Sequence, residues 1–465
     1  MRIHPRYKRY QVSLIDFRLL WITIVCILVL VLGFECNPSA QSDSLDRHRV
    51  PAEYMSFYGA DWLERAERVE EEQPVKVLET MTLQPGDVVA DVGCGSGYYA
   101  RLIAPLVQPG GKVYCEDIQP EMLEIMQQLA EREGVTGIEP ILGTPTDPAL
   151  PAGVVDWIII TDVYHEMSDP EPMLLRMKEA MSPFGQVALL EYRVEDGTGD
   201  QIKSDHAMSV RQVLLEWKAA GFELVALHEF LPSQHLFFFR ASTSIAERKS
   251  LQDSDLFDAI AKDLVEAYAI GSGQDQVIIR IRNKGSEPLV VTSPVGVYFK
   301  SDSDKRDMIA RRDGWVVLED GDWHDWSIRA VSRQEDRDAS DYNDQLSILP
   351  PSAEPNLEEL MYHIQVGTFT VANSPKFYLL RNYDIEQAAV WITDSDLAYK
   401  DIETSINGSN LPMQYVAAYA IAFCDLAGVD ISNRRVWKDR ERIFSRLQDP
   451  ALNAWFQSQR STLQR

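Results

Sequence analysis

Residues 88–100 read VVADVGCGSGYYA, and the rest of the chain takes its meaning from them. A short apolar run (Val88, Val89, Ala90) ends in Asp91 and then meets three glycines at alternate positions, Gly93, Gly95 and Gly97. Tyr98, Tyr99, Ala100, Leu102 and Ile103 follow at helical spacing. The pattern predicts a buried strand, a tight turn and a helix start. Glycine accepts positive φ and lets a ligand approach the main chain closely. The helix behind the turn points free N–H groups into it.

The spacing selects among ligands. A dinucleotide fingerprint, G-x-G-x-x-G, needs its third glycine at position 98, which is Tyr98. Here the spacing is G-x-G-x-G with an acid two residues before the first glycine, which suits a ligand bearing an ammonium better than a pyrophosphate. Lys112, Val113, Tyr114 and Cys115 make a second strand pattern that closes in Glu116 and Asp117, acids placed where a ribose diol is held. DVGCGSG and GKVYCEDIQPEML, followed by DWIIITDVYHE and MSPFGQVALLEYR, resemble a class I S-adenosylmethionine-dependent methyltransferase over about residues 54–240. The resemblance implies an α/β fold: a Rossmann-like, doubly wound, mostly parallel sheet with an antiparallel last strand. It also implies S-adenosyl-L-methionine as cofactor, held by Asp91, Gly93, Gly95, Gly97, Tyr98, Glu116, Asp117, Thr144 and Asp162. Thr144 stands where the family commonly has an acid that holds the adenine amine, with Asp147 as its alternative.

The fourth strand pattern, VDWIII, ends in Thr161-Asp162-Val163-Tyr164-His165-Glu166. The carboxyl end of such a strand faces the ligand crevice. Asp162, His165 and Glu166 are therefore the candidates for substrate contact or proton removal, with His165 as general base. The alternative for His165 is a structural role capping the next helix. Asp162 and Glu191, at the ends of adjacent strands, also resemble the magnesium acids of catechol-type enzymes, but no third ligand is evident and no metal is expected. Arg193, His206 and His235 are the substrate-side candidates. In resembling enzymes the segment ahead of the first strand closes over the cofactor, and Tyr58, Asp61 and Trp62 are its candidates here; an exposed, salt-bridged helix over 61–72 is the alternative. No trio of cysteines accompanies the site, as the arsenic-methylating branch would need. TDVYHE replaces the N-P-P-Y-like tetrapeptide of enzymes acting on DNA bases or glutamine. A small-molecule or lipid acceptor remains.

The 465 residues carry a net charge of −26, which argues against nucleic acid as a partner. The five cysteines are scattered, and Cys94 and Cys115 read as small apolar filler. Arg2, Arg6, Lys8, Arg9 and Arg18 precede the uncharged run from Leu19 to Phe34. That is a signal peptide or signal anchor, so the protein is expected to be membrane-associated through this run, or exported if it is cleaved. The orientation rule then sets the domain across the membrane from the compartment that makes the cofactor; a translation start at Met55 removes that conflict. The expected divisions are 1–45 for the targeting segment, 51–242 for the methyltransferase domain, 250–380 for a β-rich accessory domain and 381–465 for a helical region.

Within the second half, 242–249 reads as a linker and 256–268 as an amphipathic helix. A hairpin turns at Asn283-Lys284-Gly285, and further strands, the last over 361–369, complete a β-sandwich-like domain or a small barrel. The charged stretch 302–312 reads as a solvated loop, and helices are expected over 385–392, 413–427 and 437–447. This half shows no catalytic constellation and is expected to recognise another protein or a surface. Two rival readings stand beside the enzyme: a non-catalytic, membrane-tethered binding protein that keeps the fold, and a dinucleotide oxidoreductase, which Tyr98 opposes.

Overall fold

Val88–Val92 forms strand β1, with four of its five residues buried. A strand with apolar groups on both faces belongs inside a parallel sheet covered on both sides, and β1 lies at the centre of one. The computed structural model describes residues 50–242, 251–369, 377–378, 381–406 and 408–463. The run from Leu19 to Phe34, most of the expected linker, Cys26 and Cys36 lie outside the described residues. Among the described residues no helix is long and apolar enough to cross a membrane.

Ahead of β1 run three helices, α1 (Ala60–Leu63), α2 (Arg68–Glu72) and α3 (Pro74–Met81). After it come α4 (Tyr98–Ile103), β2 (Lys112–Asp117), α5 (Pro120–Glu133), β3 (Ile138–Leu142), β4 (Val155–Thr161), α6 (Pro170–Ala180) and β5 (Met181–Arg193). Then follow α7 (Val210–Ala219), β6 (Phe222–His228) and β7 (Gln234–Ala241). The strands lie in the order β3-β2-β1-β4-β5-β7-β6, and all run parallel except β7, which is antiparallel to both of its neighbours, β5 and β6. The two-residue strand Ala207–Met208 adds to β5 off this path. One face of the sheet packs Met173, Met177, Val213 and Trp217; the other packs Met81, Tyr99, Ile103 and Met126. The order reverses between β1 and β4, so the crevice opens at the carboxyl ends of those two strands. The register Asp91↔Ile159 sets the glycine turn beside Thr161 and Asp162.

The sandwich-or-barrel alternative in the second half resolves as a closed six-stranded barrel. Its strands are β9 (Val265–Gly271), β10 (Gln276–Asn283), β12 (Tyr298–Ser301), β13 (Met308–Ala310), β15 (His324–Ser332) and β16 (Gln345–Leu349). A separate three-stranded sheet joins β8 (Gln252–Asp255), β11 (Leu289–Ser293) and β14 (Gly314–Leu318). This small sheet lies against the mostly parallel sheet and its helices: Val290 shares a core with Trp217, Phe222 and Phe239, and Leu251 N donates to the Leu224 carbonyl at 2.8 Å. Helical segments close the chain, among them Tyr383–Asp394 and Met413–Leu426, whose interiors are almost wholly buried.

Several expectations are corrected. Cys94 and Cys115 are joined in a disulfide rather than packed as separate thiols; the register Asp91↔Cys115 brings the turn after β1 against β2. The helix expected over 256–268 stops at Ala261 and the chain turns into β9. The strand expected over 361–369 is a helix, Pro355–Val366, followed by the short strand Thr368–Phe369. The helix expected over 437–447 is two short ones, Arg435–Lys438 and Arg440–Phe444. The stretch 302–312 is not simply a solvated loop, because Arg311 and Arg312 at its end are buried.

Candidate active site

The turn after β1 is built as its glycines require. Gly93, Gly95 and Gly97 all have positive φ, and an added Cβ would meet Val163 at 2.5 Å, Leu63 at 2.7 Å and Met126 at 2.2 Å. Asp91 is buried and accepts from Ala100 N at 3.0 Å, so it pins the start of α4. The acids closing β2 reach back to the same turn. Glu116 Oε2 accepts from Gly93 N at 3.2 Å, and Asp117 Oδ2 accepts from Gly95 N at 2.9 Å. Asp117 Oδ1 also accepts from Gln119 N. Tyr98 opens α4 with the Arg68 guanidinium over its ring at 4.4 Å. Thr144 sits at the mouth of β3 but is exposed and turned into its own loop, its N and Oγ1 both on the Asp147 carbonyl.

Across the crevice, Asp162 stands at the end of β4 with φ +53°, a left-handed conformation rare for a residue other than glycine. Both its oxygens accept from Gln234 Nε2 at 2.8 Å. His165 is buried and held twice by Glu191 of β5: its main-chain N donates to Oε1 at 3.1 Å, and Nδ1 lies 2.7 Å from Oε2. The His206 ring lies 5.0 Å from it, with His206 Nδ1 on Asp205 at 2.8 Å. Glu166 accepts from Met55 N, and Gln119 bridges the same segment through the Met55 carbonyl and Phe57 N. The chain ahead of β1 therefore spans the crevice from the mouth of β4 to that of β2.

The residues doing the covering differ from those expected. Tyr58 and Trp62 are 86% and 52% exposed, and Asp61 also faces solvent. Instead Leu63 abuts Gly95, Glu64 accepts from Ser96 Oγ at 2.5 Å and from Arg101 at 2.6 Å, and Arg68 pairs with buried Glu72 at 2.7 Å. The charged run ERAERVEEE signals that such pairs exist, but not which charges turn inward.

Two substrate-side candidates lie elsewhere. His235 has both ring nitrogens on carboxylates, Glu229 at 2.9 Å and Glu195 at 3.1 Å, and Trp315 of the small sheet stands edge-on to it. Arg193 pairs with Glu229 at 2.7 Å and Asp196 at 3.3 Å beside the same tryptophan. These two residues belong to the junction with the second half. Only His206 stands beside His165. Among the described residues no group of three His, Cys, Asp or Glu side chains is arranged to hold a metal.

The electrostatics of the crevice are strongly acidic. Burial pushes Asp91 up to about 7 against the restraining bond from Ala100 N, Glu116 up to about 8 and Glu166 up to about 7. Asp117 and Asp162 are raised for the same reason. Burial alone would lower His165, but the charge and hydrogen bond of Glu191 outweigh it and raise the imidazole. An acid whose folded pKa exceeds its unfolded one makes the native state the better proton binder, so stability falls as pH rises between the two values. Unliganded protein is thus expected to melt several degrees lower at about pH 8.5 than at about pH 6, as thermal unfolding of the full chain would show. A flat profile would mean that these acids ionise freely.

Buried polar atoms around the crevice lack protein partners among the described residues: Glu116 Oε1, the Tyr99 hydroxyl, Thr161 Oγ1 and Gln234 Oε1. Orphaned acceptors beside clustered carboxylates suit a ligand that brings hydroxyl and ammonium donors and a positive charge. S-adenosyl-L-methionine has a ribose diol, an α-ammonium and a sulfonium, and so fits the residues present.

Comparison with known proteins agrees with this fit. The profile of a methyltransferase domain family matches residues 83–230. A protein-L-isoaspartate O-methyltransferase of Aeropyrum pernix is 38% identical over 76 residues, 16% of this chain and 29% of that protein. An 18S rRNA (guanine(1575)-N(7))-methyltransferase of Saccharomyces cerevisiae is 30% identical over 119 residues, 24% of this chain and 41% of that protein. A demethylmenaquinone methyltransferase of Geobacillus sp. is 26% identical over 114 residues, 24% of this chain and 49% of that protein. The chain spans less than half the length of each of these relatives. The segment from residue 83 to residue 230 is accordingly a class I S-adenosylmethionine-dependent methyltransferase domain.

Proposed function

We propose that the chain transfers the methyl group of S-adenosyl-L-methionine to a small-molecule or lipid acceptor that enters beside His165. The observation that carries the transfer is the positive-φ glycine turn closed by Asp117 and Glu116, facing Asp162 across the switch point. The bound cofactor supplies an activated sulfonium methyl, which leaves the protein to align a nucleophile and to remove its proton. Asp91, the three glycines, Glu116 and Asp117 would hold the nucleoside end. Asp162, fixed by Gln234, would hold the methionine end.

His165 is the base. With the Nδ1 proton directed to Glu191, the lone pair of the neutral imidazole lies on Nε2, and Glu191, which raises the imidazole's proton affinity, stabilises the imidazolium formed when the acceptor gives up a proton. The acceptor class rests on weaker ground than the transfer. The three relatives are named for a protein, an RNA and a quinone acceptor. Against an RNA acceptor stands the net charge of −26; the menaquinone precursor is a lipid, in keeping with the reading proposed.

The test is a panel of hydroxylated, aminated, quinone and RNA acceptors incubated with the full chain and methyl-labelled cofactor. His165→Gln is expected to cut label transfer by about 10²–10⁴-fold, with binding of S-adenosylhomocysteine by calorimetry changed less than threefold. Label appearing in RNA alone overturns the acceptor class. Unchanged transfer in His165→Gln removes the base.

A further inference from the structure

Behind residues 197–206, where the methyltransferase fold meets the barrel, four guanidinium groups converge on two carboxylates. Arg311 and Arg312 directly follow β13, Arg329 lies on β15, and Arg381 and Glu386 flank the start of the helix Tyr383–Asp394. The second carboxylate is Asp200, on the loop from β5. Glu386 is wholly buried and takes Arg311 Nη1 at 2.6 Å and Arg312 Nη2 at 2.5 Å. Asp200 takes Arg329 Nη1 at 3.0 Å. Arg381 donates Nη2 to the Ser204 carbonyl at 2.8 Å, and its Nη1 stands 3.9 Å from Asp200.

The cluster is unfinished in two respects. Four cations face two anions, an excess of two positive charges in a place where Arg311, Arg312 and Arg381 side chains are 4%, 1% and 4% exposed. Burial, with repulsion from Arg312 and Arg329, holds Arg381 down to about 10. Charge buried without counter-charge is a costly arrangement. The second deficit is in hydrogen bonds. Arg311 Nε, Arg312 Nε, Arg381 Nε and Arg381 Nη1 are buried N–H groups without an acceptor among the described residues.

A monatomic ion would answer the charge but not several separate N–H directions. A tetrahedral oxyanion answers both, since guanidinium forks match its oxygens in pairs. We infer that this cluster is a binding site for a compact, doubly charged oxyanion of the phosphate type, as the free ion or as the phosphate group of a larger molecule. Arg329 and Asp200, each 24% exposed, mark the side from which it is reached. The site bears on the crevice through one short stretch: Arg381 holds Ser204, and Ser204–His206 is a single turn of 3-10 helix ending in the histidine beside His165. An oxyanion here would fix the loop that lines the acceptor side, whatever the acceptor is.

The experiment is calorimetry on the full chain, titrated in one arm with inorganic phosphate and in the other with phenyl phosphate. Saturable binding of phosphate is expected. Arg381→Gln should weaken it roughly tenfold to a hundredfold, the scale of lost charge-assisted hydrogen bonds. Asp200→Asn should tighten it several-fold by removing a competing carboxylate, a gain that misfolding cannot produce. Binding of phosphate but not of phenyl phosphate assigns the free ion, and binding of both assigns a phosphate group on a larger molecule. No saturable heat in either arm overturns the site, as does an affinity identical in the native chain and both variants.

Discussion

Full-length protein carrying Gly95→Val is expected to bind S-adenosylhomocysteine at least about a hundredfold more weakly than the native chain. Gly95 has φ +52°, a conformation that a β-branched residue adopts only at a cost of roughly 1–3 kcal/mol. The strain is not the larger effect. Gly95 N is the donor that Asp117 Oδ2 uses at 2.9 Å, so reorienting this peptide releases the acid that closes β2. The added Cβ also meets Leu63 Cδ1 at 2.7 Å, pushing away the residue that covers the turn. The glycine supports the acid and the cover together, and both line the crevice. Gly153→Ala is the control: its φ is +72°, nothing lies within 4 Å of the new Cβ, and it sits in the loop before β4, at the far end of that strand. That variant bears backbone strain without touching the crevice and should keep native affinity. Calorimetry on the three proteins decides it; equal weakening in both variants would reduce the argument to general destabilisation.

How much of this was legible beforehand depends on the range of the interactions involved. β1, β2 and β4 are legible because strands buried on both faces are largely apolar runs, broken in β4 only by Asp156 and opened in β2 by Lys112, and their closing acids follow in sequence. The helix Pro355–Val366 escapes a strand pattern begun at Met361, although Leu357, Leu360, Met361 and Ile364 carry its buried face. A window opened at Met361 discards the first turn of the period, together with the proline that starts it. Residues 256–271 defeat periodicity differently, because Leu256 and Ala259 serve a helix while Val265 and Ala269 serve a strand three residues beyond that helix. What could not be read are partners chosen by folding. His235 and Arg193 lie near the ends of strands, as substrate contacts do, but Trp315 from the second half covers them. Cys94 and Cys115, 21 residues apart, match no spaced pair until the β1–β2 register joins them. Arg311 and Arg312 close a stretch that opens on Asp, Ser and Lys and reads as solvated, and the carboxylate that they meet when turned inward, Glu386, lies over seventy positions later.

That distant carboxylate leads to the second large effect. Glu386→Gln keeps the side-chain volume and removes the charge, leaving Arg311 and Arg312 buried against a neutral amide. Removing one partner of a buried ion pair typically costs about 3–5 kcal/mol, because the remaining charge can neither hydrate nor neutralise. For a region of this size that is on the order of a 10 °C fall in melting temperature. The sign with pH is fixed by the native pKa. Burial would raise Glu386, but Arg312 and Arg311 outweigh it and hold the carboxyl below its ordinary value. Its contribution is therefore present above the unfolded carboxyl pKa, near 4.3 in a model peptide, and is lost as pH falls through the native value. Urea denaturation of the full chain should show the native protein and Glu386→Gln far apart at pH 7 and converging under strong acid. A variant as stable as the native chain at pH 7 would mean that water or another group already neutralises the two arginines, and that the helix Tyr383–Asp394 is held to the barrel by its apolar face alone.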